Sequence, residues 1–116
     1  MKNLDALINK IGFMIVEKIK NKEKDKTKYK NFIDKSLGVL ANDGVYAYWV
    51  YCKANKIHDV FIDELQDLMK LISDDISDEE QFFQKLSNNI YQLLFFKDMV
   101  EKALIYARYH AKAMGD

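Results

Sequence analysis

Apolar residues recur at intervals of three and four along almost the whole chain, the spacing of helices that each bury one face. Leu4, Leu7, Ile8, Ile11, Ile15 and Ile19 form the first stripe, widened by Met14 and Val16, and predict a helix over about residues 2–20. Gly12 interrupts this stripe at a cost in helix propensity, which points to a place where another helix packs close. Lys2, Lys10, Lys18 and Lys20 fall largely off the stripe. Residues 21–28, NKEKDKTK, carry no apolar side chain and read as a flexible or fraying link, with Thr27 a candidate cap for the next helix.

The centre of the chain is a helix–turn–helix unit over residues 29–56. Tyr29, Phe32, Ile33, Leu37 and Leu40 share one helical face over 28–41. Asn42, Asp43 and Gly44 tolerate turn or left-handed backbone and mark the end of that helix. The next helix, 44–55, is apolar on nearly every side and carries Tyr46, Tyr48, Trp49 and Tyr51, so the rest of the domain must cover it. Four aromatics on a central helix read as core, with Tyr48 and Tyr51 able to keep their hydroxyls at a wet rim. Ala54-Asn55-Lys56 is the expected stop.

A fourth helix is predicted over about 57–72, burying Ile57, Val60, Phe61, Leu65, Leu68 and Ile72. Ser77 and Glu80 stand at capping-box spacing after the break at 73–77, and open a fifth helix with Phe82, Phe83, Leu86, Ile90 and Leu93. The sixth carries Phe96, Val100, Ala103, Leu104, Ala107, Ala111 and Met114. No cap supports the boundary near 93–95, so one bent helix is the alternative. Alternation with period two is absent, as is any long heptad run. The expected fold is all-α, a compact single-domain bundle of about five to six helices over residues 1–116.

Composition agrees: there is no proline and there are four glycines in 116 residues, too few breakers for anything but long helical runs. A 49% hydrophobic chain of this length buries about two thirds of its unfolded surface, enough for a core of its own. One cysteine, Cys52, lies in the most apolar segment and reads as a buried, inert thiol of a reducing compartment. With no secretory signal pattern and no run near the roughly 18 apolar residues of a membrane span, a cytoplasmic protein is expected.

Charge adds polarity along the chain. The formal net charge is zero, yet ten Lys against five acids crowd residues 1–35, and nine acids against one Lys crowd residues 57–80. Such a dipolar chain suits head-to-tail association, or a polyanion on one face only. Asp59, Asp63, Glu64 and Asp67 form the acidic face of the fourth helix and are the candidate protein interface.

Catalytic chemistry is not visible. His58 and His110 are far apart in sequence, and no CxxC, HExxH, Walker or dinucleotide-binding spacing occurs. Asp74, Asp75 and Asp78 lack the spacing and glycine of a calcium loop and read as a capped, solvated turn. Asp63 and Asp67 share a face with nothing to separate their acidities. No enzyme activity, cofactor, metal or small-molecule substrate is expected, so function must come from surfaces.

Two stretches carry a family resemblance. In residues 29–56, Tyr29 opens a helix that ends in Asn42-Asp43-Gly44, and VYAYWVYCKANK follows as a second helix. In residues 90–114, IYQLLFFKDMVEKALIYARYHAKAM is a closing helix of aromatic, Leu, Ala and basic residues. This pattern resembles the small helical subunit of the type III-B CRISPR effector, the Cmr complex. The chain departs from it in having Ser36-Leu37-Gly38 where a proline is often seen, and Ile105-Tyr106 where a tryptophan often stands. The related small subunit of the type III-A (Csm) complex is the second match, though its arginine-rich early helix has no counterpart here.

The resemblance implies a subunit that cuts nothing itself, stacks in several copies beside the backbone subunits holding the guide RNA, and lines the groove for the target strand. Its expected partners are the backbone and large effector subunits, copies of itself, and guide and target RNA, in antiviral defence. The basic surface supplies the candidate RNA-facing residues: Lys28, Lys30, Lys35, Lys53, Lys56, Arg108 and Lys112. The rival expectation is a helical adaptor or regulator without nucleic acid, using the acidic 57–80 segment as its interface.

Overall fold

The computed structural model describes residues 3–22, 24 and 26–114, and every regular element among them is helical. The order is α1 (Leu4–Lys20), α2 (Lys26–Asp43), α3 (Val45–Ala54), α4 (His58–Phe61), a 3-10 turn (Asp63–Leu65), α5 (Gln66–Lys70), α6 (Glu79–Leu86) and α7 (Ile90–Ala113). The radius of gyration, 13.5 Å, matches the roughly 13 Å expected of one compact body of this length. An all-α bundle around one apolar core is what forms.

Helices α1 and α7 run parallel and make the spine. Leu4 and Leu7 line one groove with Phe95 at one end, while Val16 and Ile19 line another with Ala111 and Met114 at the other. Between them, Tyr106 donates to Asp5 Oδ1 at 3.3 Å, and one turn on His110 Nε2 lies 2.8 Å from Asn9 Oδ1. At Gly12 the two helices approach closely. A Cβ built there would lie 2.7 Å from the carbonyl oxygen of Ala103 and 2.7 Å from Tyr106 Cβ. Helix α2 lies antiparallel on α7, with Asp34 against Arg108 and Ala41 near Lys97.

The turn from α2 to α3 needs only Gly44, whose φ of 97° is left-handed backbone; Asn42 and Asp43 stay within α2. Helix α3 then buries Val45, Tyr48, Trp49 and Cys52 and exposes Tyr46 and Val50. Tyr48 is fully buried rather than at a rim, and its hydroxyl donates to the Phe61 carbonyl at 2.6 Å. That bond helps explain why the helix expected over 57–72 is broken. With the Phe61 carbonyl engaged, the Leu65 N–H turns to the Ile62 carbonyl at 2.9 Å, giving 3-10 geometry. The break also lets Val60, Phe61 and Ile62 all be buried in succession, which no straight amphipathic helix allows.

Two other boundaries differ from expectation. Asp78, not Ser77, caps α6 by accepting from the Gln81 N–H, while the Ser77 hydroxyl donates to Asp75. The last helix begins at Ile90 because Asn89 caps it through the Gln92 N–H, so Ile90 and Leu93 belong to α7. Phe82, Phe83, Phe96 and Trp49 pack edge to face or stacked and join α6 to the core. The link expected over 21–28 is helical from Lys26 on, where α2 starts and takes in Thr27, while residues 21, 22 and 24 are not helical; Glu23 and Asp25 lie outside the described residues.

Candidate nucleic-acid interface

The seven basic residues singled out by sequence fall on two separate faces. Lys28 and Lys35 are four and three residues from Phe32 on α2, and their ammonium groups sit 6.0 and 5.5 Å from its ring. Lys53 lies 5.9 Å from the Trp49 ring. Both rings are nearly buried, so these lysines cover aromatic core edges, each contact contributing about 0.5–1 kcal/mol. A base has little ring to stack on there; among the aromatics of α3, Tyr46 is the exposed one.

Lys56 is set by its backbone. Its φ of 58° is the left-handed position that ends a helix, with Lys56 N–H bonded to Lys53 O and Ile57 N–H to Cys52 O. Glycine suits that position better. Lys56→Gly is expected to raise stability by about 0.5–1 kcal/mol in chemical denaturation while deleting the charge. A drop in stability would mean the side chain itself matters to packing.

The other face is a groove. Lys20 at the end of α1, Lys26 and Lys30 in the first turns of α2, and Ala111 and Met114 at the end of α7 line a cavity of about 510 Å³ floored by Val16, Ile19 and Ile33. A second, smaller hollow of about 250 Å³ shares Lys30 with it and adds Arg108, Lys112, Asn31 and Asp34. Arg108 Nε donates to Asp34 Oδ1 at 2.7 Å, which fixes the guanidinium beside the groove. The structure therefore brings together Lys30, Arg108 and Lys112, and adds Lys20 and Lys26, which by sequence alone rank only as off-stripe and linker lysines. Among the described residues Lys20, Lys26 and Lys112 form no ion pair, so their charge is available to an anion.

The acids are not equivalent either. Glu64 pairs with Lys18 at 3.2 Å, and Asp59 pairs with Lys22 at 2.5 Å, so two of the four candidate interface residues are engaged within the chain. Asp63 and Asp67 are exposed. Lys22 also lies 4.5 Å from the Tyr29 ring, and the Tyr29 hydroxyl reaches Asp59 Oδ1 at 3.3 Å. Burial is the largest single effect on Asp59 and opposes its charge, but the hydrogen bonds from Lys22 and Tyr29 and the charges of Lys22 and Lys18 together outweigh it and hold the carboxyl below its usual range. The hydrogen bond to Asp59 in turn raises Lys22. A lowered carboxyl contributes stability above its unfolded pKa, and that stability fades as pH falls through the folded value. Thermal melts of the native chain are therefore expected to show this stabilisation fading below about pH 4, and those of Asp59→Asn to show a smaller fall, since hydrogen bonds from Ser77 also hold Asp75 low. An identical acid profile in both would contradict it.

Cys52 is buried, and burial pushes its thiol up to about 12, leaving it an unreactive core residue. Among the described residues no group of three or more His, Cys, Asp and Glu side chains is placed to hold a metal, and no helix is long and apolar enough to cross a membrane. No family model, curated protein or solved structure matches this chain.

Proposed function

We propose that this chain is a non-catalytic, RNA-binding small subunit of a cytoplasmic CRISPR type III effector ribonucleoprotein, of the type III-B kind, acting with other effector subunits. The observation that carries the reading is the basic groove where α1 and α7 end and α2 begins. Among the described residues that line it are the cations Lys20, Lys26, Lys30, Arg108 and Lys112 and the acid Asp34. Such a strip neutralises phosphates without reading bases, which suits a protein whose specificity is left to guide pairing. The acidic segment is a weaker candidate surface because Asp59 and Glu64 already have cationic partners.

The test is affinity capture of the tagged chain from its native host, with and without ribonuclease. Repeat-derived guide RNA together with several larger subunits is the expected result. Capture of one protein, unchanged by nuclease and without RNA, would overturn the reading in favour of the adaptor.

A further inference from the structure

The opposite end of the spine carries a surface of another kind. Leu4, Ala6, Leu7, Leu71 and Phe95 line an open groove of about 760 Å³, with Asn3 and Lys10 the polar members of its wall among the described residues. Beside it, the first turns of α7 put large apolar residues into solvent: Ile90 is 56% exposed, Tyr91 84%, Leu94 54% and Phe95 43%, with Leu71 at 52%. Spaced i, i+1, i+4 and i+5, the four α7 residues form one ridge, and Phe95 joins that ridge to the groove. These five side chains offer roughly 550 Å² of accessible surface, at the upper end of what a monomer leaves uncovered.

We propose that this chain pairs with a second copy of itself through this surface, about a two-fold axis. An isologous contact needs a patch that is its own complement, and a ridge lying beside a groove meets that need. Rotation about an axis between them sets the Tyr91 ridge of each copy against the Leu4–Leu7–Phe95 groove of the other. The groove has room for several side chains at once. Wholly buried, two such patches would cover about 1,100 Å², above the roughly 1,000 Å² an interface needs and in the size class of a weak, transient dimer. The pairing is independent of the RNA reading. It lies about three turns of α1, roughly 15–20 Å, from the basic groove, and would leave that groove open.

Sedimentation velocity across a concentration series to about 100 µM, in low salt and in about 1 M NaCl, tests this. The native chain is expected to dimerise in both salts, because apolar contacts are not screened. Tyr91→Lys/Leu94→Lys, at positions exposed enough to leave the fold intact, is expected to weaken dimerisation at least about thirtyfold with an unchanged melting temperature and unchanged RNA affinity. A native chain that stays monomeric to about 100 µM would overturn the proposal. So would a double variant that dimerises as before. A dimer that dissolves in high salt would also overturn it, since that result belongs to a charge-driven association between the basic groove and the acidic segment.

Discussion

Gly12→Ala is expected to destabilise the protein by about 2 kcal/mol, although alanine is the better helix former by about 1 kcal/mol. The sign is decided by what the new methyl group meets. Besides Tyr106 Cβ it would press on the Ala103 carbonyl oxygen at 2.7 Å and the Ala107 amide nitrogen at 2.9 Å, and backbone atoms cannot rotate away. Relief requires α1 and α7 to separate, which loosens Ile8, Ile11, Ile15, Ala103 and Ala107 together. For a chain of this size the loss corresponds to a fall in Tm of roughly 8–10 °C. A rise in Tm would show that the helices do not approach as closely as described.

Tyr48→Phe is expected to lose about 1–3 kcal/mol for a single oxygen atom, because it leaves the Phe61 carbonyl buried without that donor. Burial raises the Tyr48 hydroxyl pKa well above its usual value, so the phenol stays protonated, and a donor, at any working pH. The informative alternative is a loss below about 0.5 kcal/mol. That would mean the freed carbonyl recaptures the Leu65 N–H and the 3-10 turn anneals into a continuous helix, a change that hydrogen exchange at Leu65 would register.

These two residues also mark what the hydrophobic pattern could and could not disclose. A glycine in an amphipathic stripe already implied a close helix approach at Gly12, because no local reason for glycine exists in mid-helix. The stripes of α1, α2 and α7 were legible for the same reason, their period being a local property. The break within 57–72 was not. It depends on a hydroxyl thirteen residues upstream reaching the Phe61 carbonyl, and nothing local distinguishes that segment from an ordinary helix. The α6 start was misplaced by one residue because Ser77 and Asp78 are both good caps, and Ser77 is drawn off by Asp75.

The surface was less legible than the core. Lys28 and Lys30 are two residues apart in sequence but about 200° apart around α2, so one faces Phe32 and the other the groove. Lys20 and Lys26 gain their place only because α1 and α7 run parallel and finish together, an orientation that no periodicity encodes. Charge counting found the basic third of the chain. Only the packing of helix ends sorted its lysines into a groove and a sheath over aromatic rings.

The most direct test of the basic groove is the salt dependence of binding to a labelled single-stranded RNA, compared between the native chain and Lys26→Glu/Lys112→Glu. Each phosphate neutralised contributes about −0.7 to the slope of log affinity against log salt for a single strand. Two reversals in the groove should therefore flatten the slope by about 1.4 and weaken binding more than tenfold at low salt, with the melting temperature unchanged. Lys28→Glu/Lys35→Glu, on the aromatic face, should leave both quantities nearly as they were. Equal effects of the two pairs, or none from the groove pair, would contradict the assignment of this groove to RNA.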